Sequence, residues 1–322
     1  MTVSPVLLRV DASACHRHFL HEDGRIWPET NCYVGLWIEL LHSLGLDPVA
    51  PLAFLLSSDF DGEQWELFKY PPEDLRELYG LEIREFHVWR PLADHIQNRL
   101  RLGHLLTVGV DSWFLPDTVG VSYRLSHQKS TISPTMIDPA TKRIGYFHNC
   151  GHYEATADDY DGIVRHHAAA VDLTPHAEMV SVDRLRRPAT LELHTHVEAL
   201  VARHLSRRPS TNPVDRLAAR IAEDTAWLQA QGVETFHRFA FGTLRQCGAW
   251  AETVGTFVDW LDHTDLAPSA EAFGELAATA KTCQFKLARI AVGRDAQLDS
   301  VFTKMASLWD EGYGPLLAHY DV

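Results

Sequence analysis

The chain has 322 residues and a formal net charge of −14, which is length enough for about two domains and the wrong sign of charge for a general affinity for nucleic acid or anionic membrane. Its cysteines, Cys15, Cys32, Cys150, Cys247 and Cys283, are odd in number and irregularly spaced, which argues against a disulfide framework and for a reducing, cytoplasmic setting. The N-terminus has no basic stretch leading into a long apolar run, and no segment approaches the roughly 18 uninterrupted apolar residues of a membrane span.

In chain order, the first strong signal is Trp27-Pro28-Glu29-Thr30-Asn31-Cys32-Tyr33-Val34-Gly35-Leu36-Trp37-Ile38-Glu39-Leu40-Leu41. Val34, Trp37, Ile38 and Leu41 recur with helical spacing, Leu36, Leu40 and Leu44 widen the apolar face, and Gly45 followed by Pro48 ends the run. The pattern predicts a buried helix that starts at or just after Cys32. Its unpaired N-terminal amides and the positive end of its dipole would then face the sulfur and favour thiolate. A small buried hydrophobe is the competing role for any free cysteine.

Next come two short helices opened by proline and closed by glycine, Pro71 to Gly80 and Pro91 to Leu102 with Gly103 as its stop. A strand is predicted over 104–111, then a hairpin from Lys129–Asp138 and Arg143–Asn149 around the turn Pro139-Ala140-Thr141-Lys142. Beyond Arg184 strand signals give way to helical patterns over Thr190–Leu205, Pro213–Gln231, Glu234–Leu261 and Ser269–Val292. The expected domains are therefore a mixed α and β domain over 1–165, a connection over 166–185 and a helical bundle over 186–322.

A cysteine nucleophile needs a base, and the base needs an orienting group. The chain has 19 histidines, so position must choose among them. In papain-like folds the histidine opens a strand beyond the cysteine helix, and the orienting residue lies on the next antiparallel strand. His127, which leads into the hairpin, meets the first requirement, and pairing across the hairpin places Asn149 opposite about Ile132 for the second. Asp138 is the charged alternative, but a turn role suits it better. The backbone amide of Cys32 and a donor from Asn31 would form an oxyanion hole; Glu29 suits a helix N-terminus. Asp111, Lys129 and Arg245 complete the candidate oxyanion and substrate-binding residues. For His148 and His152, exposure or aromatic packing is the favoured role.

Several separated motifs in order, Trp-Pro-Glu-Thr-Asn-Cys-Tyr at 27–33, Leu-Gly-Leu-Asp-Pro at 44–48, Val-Asp-Ser-Trp-Phe-Leu-Pro-Asp-Thr at 110–118, His-Gln-Lys-Ser-Thr-Ile at 127–132 and Tyr-Phe-His-Asn at 146–149, resemble a bacterial family, domain of unknown function 1839, over nearly the whole chain. That family is distantly similar to the acyltransferase of butirosin biosynthesis. The resemblance implies an α+β architecture, with a papain-like (cysteine peptidase-like) N-terminal domain and an all-helical C-terminal domain. It also implies a reaction: transfer of an acyl, in particular an aminoacyl, group from the phosphopantetheine thioester of a carrier protein through Cys32 to a small amine acceptor, with no bound cofactor. The run Tyr33-Val34-Gly35 after the cysteine is less polar than in that acyltransferase, which bears on the acceptor.

Carrier proteins are generally acidic, so Arg184, Arg186, Arg187, Arg207 and Arg208 are candidate docking residues, against a solvated linker and helix end as the plain alternative. Lys281, Lys286, Arg289 and Arg245 with Gln246 are candidates for lining a cleft, against the charged outer face of a bundle helix. The local histidine groups 16/18/21, 166/167 and 194/196 lack a His-Glu-x-x-His or Cys-x-x-Cys pattern, so no metal is expected. Glycine-rich nucleotide motifs are absent as well. A thiol hydrolase or amidase, and a noncatalytic scaffold that binds carrier protein, are the alternatives to transfer.

Overall fold

The computed structural model describes residues 1–3, 16–27, 31–165 and 174–322. Its contacts divide the chain into two compact units, Met1–Glu22 with Asn31–Pro48 and Tyr70–Pro188, and Asp23–Thr30 with Val49–Lys69 and Ala189–Val322. Glu29, expected near the helix start, lies outside the described residues. Among the described residues, no helix is long and apolar enough to cross a membrane.

The first unit is built on an antiparallel sheet. Its strands are β1 (Thr2–Val3), β2 (Glu82–Glu85), β3 (Leu105–Asp111), β4 (Lys129–Asp138), β5 (Arg143–His148), β6 (Gly151–Thr156) and β7 (Ala177–Ser181). Their order is β2-β7-β3-β4-β5-β6, with β1 paired to β4. The helices of this unit are α1 (Cys32–Ser43), α2 (Pro72–Tyr79), α3 (Leu92–Arg101) and α4 (Ala157–Ile163). The predicted hairpin is present with Ile137 opposite Ile144. The 166–185 connection, by contrast, contains β7, which is inserted between β2 and β3. Its sequence, Ala177-Glu178-Met179-Val180-Ser181, is short and carries a charge that only tertiary contacts satisfy, so its strand signal is weak.

Side chains alternate across a strand, so each strand feeds two faces. One face of this sheet presents Leu106, Val108, Val110, Ile132, Ile144, Tyr146 and Ala177 to α3 and α4, where Ile96, Leu100, Tyr160 and Ile163 complete a dry core. The opposite face carries Thr107 and Glu178, and there the Tyr33 hydroxyl of α1 donates to Glu178 at 2.9 Å. The sheet is thus covered on both faces, which is why β3 is buried along most of its length.

The second unit is almost wholly helical, with α5 (Thr190–Leu205), α6 (Pro213–Gln231), α7 (Val233–Ala240), α8 (Gln246–Trp260), α9 (Ala267–Ala291) and α10 (Asp299–Tyr320). The helix predicted over 234–261 is interrupted by a π-helical turn at Phe241–Arg245. The segment 49–69 also belongs to this unit. Its helical stretch Ala50–Ser57 is buried, and its carbonyls accept from the Trp250 indole (Leu55, 2.8 Å) and the Tyr313 hydroxyl (Leu56, 2.9 Å). Apolar density, rather than position in the first 165 residues, decides where it packs.

Helix α1 comes closest to the sheet at Gly35. A Cβ there would lie 3.1 Å from the backbone oxygen of Asn149, which is fixed at the β5–β6 turn and cannot give as a side chain would. We expect Gly35→Ala to cost about 1–3 kcal/mol by overpacking. Gly274→Ala, at a helical position with nothing within 4 Å of the added carbon, should stabilise by about 0.5–1 kcal/mol. Urea denaturation midpoints read both.

Candidate active site

Cys32 is the first residue of α1. Asn31 precedes it in an extended conformation, and its side-chain oxygen accepts the Val34 amide at 2.9 Å, a standard helix cap. The cap fixes where the helix begins, and so places the sulfur beside first-turn amides that have no intrahelical acceptor. Cys32 is half-buried. The rest of the helix, from Val34 to Leu41, is buried.

His127 precedes β4 and is largely exposed, and its ring is held from two sides. Nδ1 lies 2.5 Å from Oδ2 of Asp111, and the ring stacks on Trp113 with centroids 4.5 Å apart and an interplanar angle of 10°. Asp111 Oδ1 meanwhile accepts the Trp113 amide at 3.0 Å, so one carboxylate shapes the turn that carries the stacking ring and also grips the histidine. The Ser112 amide bonds the carbonyl of Gln128 at 2.9 Å, tying the turn to the strand that His127 opens. With Nδ1 engaged, Nε2 is the nitrogen left for proton transfer.

Asp111 and Thr107 are four residues apart on β3 and therefore share a face. Thr107 donates to Glu178 Oε2 at 2.7 Å, and Tyr33 donates to the same oxygen. The N-terminus of α1, with Cys32 next to Tyr33, therefore sits over the face that carries Asp111 and its histidine. Tyr33 remains a neutral donor because burial, and then the Glu178 charge, push its pKa upward. A cavity of about 460 Å³ beside the pair is lined by Asp111, His127, Lys129, Arg165 and His176 among others. Lys129 is exposed and pairs with Asp111 across β3 and β4.

The ring partner of His127 is Asp111 rather than Asn149. Asn149 sits in the turn after β5 with a φ of 47°, its backbone against Gly35 of α1. Asp138 accepts from Thr141 (2.8 Å) and the Ala140 amide (3.2 Å), a turn role. Arg245, in the second unit, ends the π-helical turn with its guanidinium 6.0 Å from the Phe241 ring centroid. Several arginines offered for docking are engaged with backbone: Arg186 on Leu78, Arg187 on Leu44 and Arg208 on Leu205. Lys281 lies 4.2 Å from the Trp27 ring centroid.

His148 is neither exposed nor packed on aromatics as expected. It is buried on the α3 side of the sheet, with Nδ1 2.5 Å from Asp117 and Nε2 2.6 Å from the Ser130 hydroxyl. Tyr146 donates to the other oxygen of Asp117 at 2.8 Å. The motif at 110–118 thus supplies one carboxylate to each face of the sheet, Asp111 to His127 and Asp117 to His148. Behind α1, buried Glu39 accepts the His18 amide at 3.1 Å and lies 2.6 Å from His21 Nδ1.

Residues 16–182 match the model of the DUF1839 N-terminal domain, and residues 190–318 match that of the DUF1839 C-terminal domain. No curated protein matches the chain.

Thiol accessibility gives a direct check. Cys247 and Cys283 are buried, which raises the pKa of both, that of Cys283 to about 12. Iodoacetamide under native conditions should therefore label Cys32 and Cys150 and spare Cys247 and Cys283, as read by peptide mass mapping. A second check is pH. Burial takes the His18 ring from the ordinary 6.5 down to about 4, so between those values the unfolded chain binds a proton that the folded chain refuses. Stability should fall as pH drops from about 6.5 to 4, and the fall in urea midpoint should be smaller in His18→Gln.

Proposed function

The chain belongs to the DUF1839 family over nearly its whole length, and on that footing we propose that it is a cysteine-dependent acyltransferase with a papain-like N-terminal domain, acting on a carrier-protein thioester. One observation carries the reading: Cys32 starts a capped, buried helix over the sheet face that bears the Asp111–His127 pair. Nucleophile, base and orienting carboxylate are the minimal set for thiol acyl chemistry. The pairing differs from the papain-like arrangement expected from the sequence. The orienting carboxylate comes from β3, the strand before the histidine, instead of the strand after it.

In the proposed reaction His127 Nε2 takes the Cys32 proton, and the sulfur attacks the thioester carbonyl. First-turn amides of α1 receive the developing oxyanion. The carbon–sulfur bond to the pantetheine arm breaks, and that thiolate leaves with the proton from His127. An amine then attacks the acyl-enzyme, His127 takes its proton and returns it to the Cys32 sulfur, and the amide departs. Asp111 keeps the imidazole in one tautomer and orientation through both halves. Lys129 and Arg165, on the wall of the adjoining cavity, supply positive charge for an acidic partner or its phosphate-bearing arm.

Intact-protein mass spectrometry with aminoacyl-loaded carrier proteins tests this. Wild type should acquire the acyl mass and Cys32→Ala should not. Acylation should slow by about 10²–10⁴-fold in His127→Ala and Asp111→Asn, the usual contribution of a positioned general base, and much less in Asn149→Ala. Release of free acid in the presence of amines would reassign the protein as a thiol hydrolase. No adduct from any donor, with pathway activity intact in Cys32→Ala, would leave a carrier-binding scaffold.

A further inference from the structure

The second unit holds a side-chain cluster that the thiol chemistry does not use. Glu198 of α5, His263 in the turn between α8 and α9, and His319 in the last turn of α10 each present one donor atom, all within 4.8 Å of one another. Residues 65 and 56 positions apart in sequence meet there because the middle of α5 faces the α8–α9 turn and the last turn of α10. His263 Nε2 lies 2.8 Å from Glu198 Oε1, and the two imidazole centroids are 4.6 Å apart.

We propose that this cluster is a binding site for a first-row divalent cation of the zinc type. Two imidazoles and a carboxylate are the donor set of three-ligand zinc sites, which keep a fourth position for water. Metal–ligand bonds of about 2.0–2.2 Å put neighbouring donors about 3.4 Å apart, so the observed spacing needs only small side-chain rotations to close on an ion. The surroundings match what metal ligands require. Asp265 Oδ2 holds His319 Nδ1 at 2.7 Å, which leaves the Nε2 lone pair of that ring as the donor. Tyr320 donates to Glu198 Oε2 at 2.6 Å, leaving Oε1 for the metal. Such outer contacts fix tautomer and orientation at metal sites.

Without metal, the short contact between His263 and Glu198 is a hydrogen bond, and a cation would take the place of the shared proton. The bound ion would join the C-terminal turn of α10 to α5 and to the α8–α9 turn. Hard cations such as Mg²⁺ and Ca²⁺ are poorly served by two imidazoles. Among the described residues, neither the histidines at 16, 18 and 21 nor those at 194 and 196 take part.

The test uses the full chain stripped with chelator and titrated with Zn²⁺ by calorimetry, and with Co²⁺ by visible absorption. Wild type should bind one equivalent tightly, raise its Tm with Zn²⁺, and give a Co²⁺ spectrum of low coordination number. The His263→Gln/His319→Gln variant should lose that equivalent, and Glu198→Gln should weaken it. His194→Gln/His196→Gln should retain it, which separates the cluster from adventitious binding to other histidines. Zinc bound no more tightly by wild type than by the His263→Gln/His319→Gln variant overturns the proposal. X-ray absorption of zinc-loaded wild type needs no variant, and a shell without imidazole scattering overturns it equally.

Discussion

Asp111 divides one carboxylate between two tasks, and the turn before β4 that holds Trp113 and His127 depends on it. One oxygen closes the turn that carries Trp113, and the other holds the imidazole of His127. The turn in turn stacks an indole on that imidazole. A histidine this exposed would ordinarily sample several rotamers, at a cost in entropy each time a reaction needed one of them. Here a hydrogen bond to a carboxylate and an aromatic face select one orientation in advance.

The same short motif also sets the opposite side of the sheet. Asp117, six residues after Asp111, lies in the core with His148, Ser130 and Tyr146 around it. Burying a carboxylate is costly unless its oxygens are satisfied, and these partners satisfy both. The network anchors the end of β5 immediately before Asn149, whose backbone meets α1 at Gly35. The helix that carries Cys32 is therefore positioned from beneath by a glycine-sized gap, from behind by Glu39 with His18 and His21, and laterally by Tyr33 on Glu178. These contacts bear on a helix whose start is set by the Asn31 cap.

The helical unit follows a different logic. Its core is aromatic: Trp65, Trp250, Phe273 and Tyr313 form a chain of tilted and edge-on ring contacts. Indole and phenol groups within it reach carbonyls of the buried stretch Ala50–Ser57, so a segment from the first fifth of the chain is part of the C-terminal bundle. The polar convergence of Glu198, His263 and His319 brings the middle of α5 to the α8–α9 turn and the last turn of α10, joining residues far apart in sequence.

Local pattern determined much of this protein. Helical periodicity marked the start of α1 at or just after Cys32, and proline-opened, glycine-closed helices and the 129–149 hairpin were legible for the same reason: each is decided by residues near one another. The motif at 110–118 was visible as a string, but its roles were not. Tertiary structure decided that Asp111, and not Asn149, faces the His127 ring, because that depends on which strand lies beside β4 and in what register. It also placed β7 inside the sheet, drew 49–69 into the helical unit and gathered the histidines of α10 and the α8–α9 turn. Those outcomes rest on contacts between residues tens to hundreds of positions apart, whose favourable energy comes from burial and pairing that no local window contains.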